Sequence, residues 1–304
     1  MTQIHILMGI RNGAAFLGEQ LDSLASQTHR DWRLTCSDDG STDGSPDLVR
    51  GFAETTEQRV EVIKGPQQGF SENFLSMVRA LPDDTGPVAF ADQDDIWLSE
   101  KLERALASLP VDGPALYGAA TYIWTPDLNR EKPTAPLRRP PCFANALVEN
   151  YATGNTMVLN APAALLLRDV SRKVGPLYAH DWWAYAYLSG IGARLVYDPR
   201  PCLKYRQHLS NEIGAGETFL KRQRRNLAVG QGLYRKKVGQ NLVALAAMED
   251  DLTLENRSIL GSFAAARDSV NPLRRLFGIW QSGVFRQSYS DMAGFLAAGA
   301  LGKV

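Results

Sequence analysis

Residues 4–13, IHILMGIRNG, and residues 32–44, WRLTCSDDGSTDG, decide the fold. Each opens as an apolar run of strand length and ends in a polar, glycine-containing turn. Between them a helix is expected around Glu19–Gln27. Working outward, the pattern repeats: a helix near Pro46–Ala53, a strand at Val60–Lys64, a helix near Ser71–Leu81 and a strand at Val88–Ala91. Strands that alternate with helices predict βαβ units, and so an α/β fold with a mostly parallel sheet covered on both faces. Ligands of such sheets bind beyond the carboxyl ends of the strands. Arg11-Asn12-Gly13, Asp38-Asp39-Gly40-Ser41 and Asp92-Gln93-Asp94-Asp95 all fall at strand ends, which predicts one polar crevice.

The 304 residues are 44% hydrophobic and 22% charged, an ordinary globular composition that excludes a disordered chain, a collagen or a disulfide scaffold. Lys plus Arg (33) equals Asp plus Glu (33), so no global basic field draws nucleic acid, and no nucleic-acid partner is expected. The balance conceals two halves: residues 217–304 hold 13 basic against 7 acidic side chains, leaving residues 1–216 acidic by the same margin. Cys36, Cys142 and Cys202 are widely spaced and form no CxxC pair, so neither zinc nor a redox couple is expected, and a reducing cytoplasm is the expected location. The first residues read as a strand rather than a signal peptide. Met292–Leu301, the longest late apolar stretch, falls short of the roughly 20 residues of a spanning helix. Residues 126–141, PDLNREKPTAPLRRPP, carry five prolines and predict a surface connector. Beyond it the pattern predicts a strand at Thr153–Asn160, a helix at Pro162–Arg172, an aromatic helix at Asp181–Leu188 and a strand at Ala193–Tyr197. The α/β body is expected to span residues 1–216, and a basic helical region residues 217–304.

Two acidic clusters could carry chemistry. In Asp38-Asp39-Gly40-Ser41-Thr42-Asp43-Gly44, Asp, Ser and Thr suit the capping of a following helix. Equally, one carboxylate could accept the imide N–H of a pyrimidine, with glycine allowing close approach. Asp92-Gln93-Asp94-Asp95 crowds three carboxylates into four residues. Such groups repel unless a cation neutralises them, and hard oxygen ligands suit Mg²⁺ or Mn²⁺ shared with substrate phosphates.

The ordered set Arg11-Asn12-Gly13, Gln20-Leu21-Asp22-Ser23-Leu24 with Gln27-Thr28, Asp38-Asp39-Gly40-Ser41-Thr42-Asp43 and Asp92-Gln93-Asp94-Asp95-Ile96-Trp97 with Lys101-Leu102 resembles the family 2 glycosyltransferases. Within them it looks most like the bacterial rhamnosyltransferase-type enzymes of surface-polysaccharide synthesis. The resemblance spans about residues 3 to 214, and the series is more specific than any one motif. It implies a GT-A fold, a UDP- or dTDP-sugar donor, Mg²⁺ or Mn²⁺, and inversion at the anomeric carbon; rhamnose from dTDP-rhamnose is the sugar it suggests. By resemblance, Asn12, Asp38 and Asp39 lie at the base, Asp92 and Gln93 near the ribose and diphosphate, and Asp94 on the metal. Arg11 stands where the family more often has Tyr or Phe.

In His180-Asp181-Trp182-Trp183 the resemblance makes Asp181 the base that deprotonates the acceptor, with Trp182 and Trp183 as an apolar wall. Without it, Asp181 reads as a helix cap and the tryptophans as core. Tyr205-Arg206-Gln207-His208-Leu209-Ser210-Asn211 resembles a further motif, in which His208 is a metal or diphosphate ligand and Arg206 offers a fork to phosphate. Asn73, Gly154 and Asn155 complete the donor and acceptor pocket by the same resemblance. Related enzymes extend a glycan carried on a polyprenyl diphosphate at the cytoplasmic membrane face. The basic, Leu-, Phe- and Trp-bearing segments after residue 217 suit peripheral attachment to an anionic surface, or else simple packing on the body. Two rivals remain. One is a sugar nucleotidyltransferase, for which Gly9–Gly13 is too short a phosphate loop; the other is a non-catalytic glycan-binding or assembly protein.

Overall fold

A computed structural model describes residues 2–207 and 233–304. Its first half runs β1 (Ile4–Ile10), α1 (Ala14–Ala25), β2 (Trp32–Asp38), α2 (Ser45–Thr55), β3 (Arg59–Lys64), α3 (Phe70–Arg79), β4 (Val88–Ala91), β5 (Ile96–Trp97) and α4 (Lys101–Ser108). There follow β6 (Ala115–Ala119), β7 (Tyr122–Thr125), β8 (Arg130–Pro133), α5 (Phe143–Ala146), β9 (Val158–Leu159), α6 (Ala161–Ser171), α7 (His180–Gly190), β10 (Arg194–Asp198) and β11 (Leu203–Arg206). The last helices are α8 (Leu233–Ala246), α9 (Leu254–Asp268), α10 (Pro272–Gln281) and α11 (Tyr289–Ala300).

The central sheet has seven strands in the order β3-β2-β1-β4-β9-β6-β10, all parallel except β9, which runs antiparallel to both neighbours. A second, four-stranded sheet, β5-β11-β7-β8, stands beside its carboxyl end. The side-chain period of β1 divides the core: Ile4, Ile6, Met8 and Ile10 pack with Leu17, Leu21 and Leu24 of α1, whereas Leu7 faces Phe74 and Val78 of α3. On the exposed edge strand β3, Arg59, Glu61 and Lys64 discourage pairing with another chain.

Helix α1 begins at Ala14, five residues before the start the sequence predicts. The reason is a cap from outside the helix: Asp43 accepts the Ala14 N–H at 2.9 Å and Ser45 Oγ the Gly13 N–H at 2.9 Å. Two other segments depart from expectation. Of residues 153–160 only Val158–Leu159 is strand, because Gly154–Thr156 forms a 3₁₀ turn whose Thr156 and Met157 amides bond back to Thr153 and Gly154. The proline-rich connector contains a strand, with Arg130–Pro133 pairing antiparallel to β7 while staying exposed.

The boundary expected near residue 216 lies outside the described residues. Among the described residues, α8, α9, α10 and α11 do not form a separate core. Val238, Leu242, Leu245, Leu252, Phe263, Ile279 and Phe295 join one cluster with Trp183, Leu188 and Phe143. Tyr187 donates to Asp251 at 3.0 Å, and Asn256 to the Gly190 carbonyl at 2.9 Å. Several cations of this region are spent inside it. Arg235 donates to the carbonyls of Gly302 and Val304, Arg267 to that of Val304, and Arg275 to those of Gly299 and Ala300. Among the described residues, no helix is long and apolar enough to cross a membrane.

Candidate active site

The carboxyl ends of β1, β2 and β4 open into a cleft of about 1500 Å³ that also reaches α7 and α11. Asn12, Asp39, Asn73, Asp92, Gln93, Asp94, Gly154, Asn155, Asp181 and Trp182 line it. The volume exceeds the 300–1,000 Å³ of an ordinary small-molecule site, so two ligands can lie in it side by side.

At one wall the loops are tied to one another. Asn12, at φ 49°, accepts the Thr42 amide on its side chain at 2.8 Å, and its own N–H reaches Ser41 Oγ at 3.0 Å. Gln93 clasps the backbone of Arg11, accepting its N–H at 2.7 Å and donating to its carbonyl at 3.0 Å. Asn73 donates to the Ser37 carbonyl at 2.9 Å and accepts from Ser37 Oγ at 2.6 Å, bracing the end of β2. These amides thus shape the wall through backbone contacts. Asp39, 4% exposed, receives the amides of Gln67 at 2.6 Å and Gly69 at 3.1 Å, one on each carboxylate oxygen. Each oxygen keeps a further lone pair, so the carboxylate is fixed and can still accept from a base.

Beyond β4 the acids crowd together. Burial first, then repulsion from Asp95, Asp94 and Asp181, holds Asp92 well above the usual carboxylate range. Asp95 is fully buried, accepts from Asn155 Nδ2 at 2.6 Å, and is pushed up to about 7 by burial and by Asp94. Below them Lys101 is also fully buried, 3.1 Å over the Trp97 ring, with Nζ donating to the Asn155 carbonyl at 2.5 Å. Burial drives this ammonium down to about 7, against the pull of Cys202, Asp95 and Asp92. Lys101 and Asn155 therefore fix and partly offset Asp95, which leaves Asp92 and Asp94 facing the cleft. Among the described residues no three His, Cys, Asp or Glu side chains form a ready-made metal cage. The crowded hard oxygen donors of Asp92 and Asp94 nevertheless suit a Mg²⁺ or Mn²⁺ that draws its remaining ligands from a diphosphate.

Across the cleft Asp181 lies in the first turn of α7. One oxygen accepts the Gly154 N–H at 2.7 Å, the other the N–H of Trp182 at 2.7 Å. The turn at residues 154–156, which displaces the expected strand, is thus what orients this carboxylate. Its neighbour His180 is 5% exposed, stacked on Phe74 at 4.1 Å and edge-on to Phe90 at 5.0 Å, with no hydrogen-bond partner for either ring nitrogen among the described residues. Burial lowers its pKa to about 4, so the ring is neutral.

Three expected site residues sit elsewhere. Asp38 closes its own turn, accepting the Ser41 amide at 3.0 Å, and does not line the cleft. Trp183, 1% exposed, stacks on Tyr187 in the core; only Trp182 reaches the cleft, its indole N–H held by the Ala146 carbonyl at 2.7 Å. Arg206 is not a fork toward phosphate. Its Nε donates to the Asp94 carbonyl at 2.9 Å, it pairs with Glu19 at 2.9 Å, and its guanidinium lies between Phe16 and Trp124. It supports Asp94 from behind. His208 lies outside the described residues. Lys101, Asp95 and His180 stand in the sequence motifs without a role of their own; for Lys101 the signal is a lysine six residues beyond Asp95, on a helix whose other buried positions are Leu102 and Ala105.

The same course of the chain recurs in S. aureus TarS solved with UDP-GlcNAc, at a TM-score of 0.57 and 12% identity over 99% of this chain and 90% of that one. It recurs also in the mannosyltransferase PcManGT of Pyrobaculum calidifontis solved with GDP-Man and Mn²⁺, at 0.52 and 16% over 99% and 87%. At such identities the likeness concerns the fold, and that fold is the GT-A fold of glycosyltransferases. The chain belongs to glycosyl transferase family 2, which matches residues 5–175. Its relatives include the dTDP-rhamnosyl transferase RfbG of Shigella flexneri, 24% identical over 82% of this chain and 87% of that one. The succinoglycan biosynthesis protein ExoW of Rhizobium meliloti is 31% identical over a shorter stretch, 31% of this chain and 29% of that one.

Proposed function

We propose that this glycosyltransferase is a metal-dependent, inverting enzyme. It moves a hexosyl group from a UDP- or dTDP-sugar, with dTDP-rhamnose the favoured donor, to a hydroxyl of a surface glycan carried on a polyprenyl diphosphate. The observation that carries the reading is the placement of Asp181, anchored by two backbone amides, in the cleft that also holds Asp39, Asp92 and Asp94. Similarity to RfbG favours dTDP-rhamnose. An acceptor of this kind would keep the enzyme at the cytoplasmic face of the membrane.

The base of the donor donates its imide N–H to Asp39, and the loop held by Gln93 and Asn12 receives the nucleoside. Asp94 and Asp92, joined by His208 in the family pattern, hold Mg²⁺ or Mn²⁺, which when bound supplies Lewis acidity to the diphosphate leaving group. Asp181 takes the proton of the acceptor hydroxyl. The freed oxygen forms its bond to the anomeric carbon as the bond to the diphosphate oxygen breaks on the opposite face, which inverts the configuration. Trp182 keeps water from the reacting face.

Calorimetry with UDP, dTDP and GDP, with and without Mn²⁺ or Mg²⁺, tests the reading. Metal-dependent binding of a pyrimidine nucleotide is expected, and its loss in Asp94→Ala. Asp181→Asn is expected to lower transfer by about 10²–10⁴-fold while nucleotide affinity stays within about twofold. Equal loss of nucleotide affinity in both variants would refute the separate roles.

A further inference from the structure

Among the described residues two side chains leave both of their polar atoms buried and unpaired, His180 and Asn241. Asn241 lies within α8 and does not line the cleft, whereas His180 lines it next to the base. Burying two such atoms costs free energy that no contact among the described residues returns. Nor does packing call for an imidazole. The stacking on Phe74 and the edge contact with Phe90 need only an aromatic ring, which phenylalanine would supply without that cost.

The surroundings say what could meet the ring. Phe70, Asn73 and Phe74 of α3 carry the cleft wall from Asp39, which holds the Gly69 amide just before α3, across to His180 and Asp181. Of the polar groups on that strip, Asn73 is spent on Ser37. The imidazole thus stands among carbon. On its other side, a methyl group added at Gly154 would come 3.2 Å from Nε2 and 3.6 Å from Cβ of Asp181, so glycine keeps the approach to Nε2 clear beside the base. A neutral imidazole offers one donor and one acceptor, which a hydroxyl can meet at either nitrogen, while nothing on this strip would balance an anion. The part of a donor that must lie near Asp181 is its hexosyl group, since the anomeric carbon has to be within reach of the oxygen that Asp181 deprotonates.

We infer that His180 binds the sugar of the donor: a ring nitrogen hydrogen-bonds a hydroxyl of the hexosyl group being transferred, and Phe70 and Phe74 meet the carbon beside that hydroxyl. The inference rests on the transferase reading and adds to it the feature of the sugar that the cleft reads, an uncharged hydroxyl flanked by an apolar edge.

The test compares each nucleotide with its sugar conjugate, dTDP with dTDP-rhamnose and UDP with UDP-glucose, by calorimetry on the full chain with Mg²⁺. The parent is measured beside His180→Phe, which keeps the aromatic packing and removes both nitrogens, and Gly154→Ala, which keeps the amide that holds Asp181 and crowds Nε2. For the conjugate that the parent binds, each variant is expected to weaken affinity by about tenfold, while affinity for the bare nucleotide stays within about twofold. Thermal unfolding of the ligand-free His180→Phe protein should be unchanged or raised, because carbon replaces unpaired nitrogen. The chain has four histidines, so nitrogen-15 spectra of the imidazoles give a second readout. The His180 signals should shift with the conjugate and not with the bare nucleotide. The inference is overturned if His180→Phe binds the conjugate as tightly as the parent, if it loses conjugate and nucleotide alike, or if the ring signals respond equally to both. A parent that binds the nucleotides but neither conjugate would remove the sugar contact and leave the nucleotide site standing. A parent that binds neither nucleotide would remove the transferase reading itself.

Discussion

A methyl group added at Gly13 would sit 2.3 Å from Gln93 Oε1, so even alanine there must displace the side chain that clasps Arg11. Gly13→Ala is therefore expected to lower UDP or dTDP affinity by about tenfold or more in calorimetry, while a destabilisation of about 1–3 kcal/mol shows in urea unfolding. Wild-type affinity in this variant would mean that the loop does not need the clasp. Asp181 reads from sequence as cap or base, and the structure explains why both were open: it stands in the first turn of α7 yet spends one oxygen on Gly154, 27 residues earlier. Arg206 and Trp183 were misplaced for a related reason. All eleven residues of α7 are buried, so no apolar face distinguishes Trp182 from Trp183. Which of its neighbours a guanidinium meets depends on Phe16, Glu19 and Trp124, which are far from it in the chain.

Elements were legible where their signals are local. The limits of β1 and β4 follow directly from their apolar runs and the polar residues that end them. The start of α1 was not, because its free amides are satisfied by Asp43 of the loop before α2 and by Ser45 at the start of α2. Nor was β8, whose proline stands at the end of an exposed edge strand, where a missing N–H costs little. At this scale the link from β11 to the acidic loop and to α1 makes a prediction. Arg206→Met keeps much of the packing between Phe16 and Trp124 but removes the bonds to the Asp94 carbonyl and to Glu19. A loss of about 1–3 kcal/mol in unfolding is expected, together with weaker metal-dependent nucleotide binding and unchanged metal-free binding. If metal-dependent and metal-free binding fell alike, Arg206 would be serving the fold alone.

Across the whole molecule the late helices share one core with α7, so a single cooperative unfolding transition is expected rather than two. A truncation that removes residues 233–304 should expose that core and aggregate; a soluble, folded remainder with a sharp transition would contradict this. Acid should also destabilise the fold through its buried histidines. His180 and His5 are both held near 4 by burial, below the 6.5 of an unfolded chain. Above pH 6.5 neither state is protonated; as pH falls from 6.5 to 4 the unfolded chain gains protons that the folded one refuses, and stability drops. For His180 the difference corresponds to about 3 kcal/mol. Urea unfolding of His180→Phe at pH 7.5 and 4.5 should show a smaller acid loss than the parent by about that amount, the carboxylates cancelling in the comparison; equal losses would place a proton on the native ring. Finally, β9 supplies only Val158 and Leu159, yet among the described residues it is the strand that joins β4 to β6 in the sheet. During synthesis, β1 to β4 can zip together from the first 91 residues, whereas β6 must wait for residue 159 before it can join them. The strands whose ends carry Asn12, Asp39 and Asp92 can thus pair with one another before β6 has a neighbour to join, so one wall of the cleft does not depend on the later half of the sheet for its pairing.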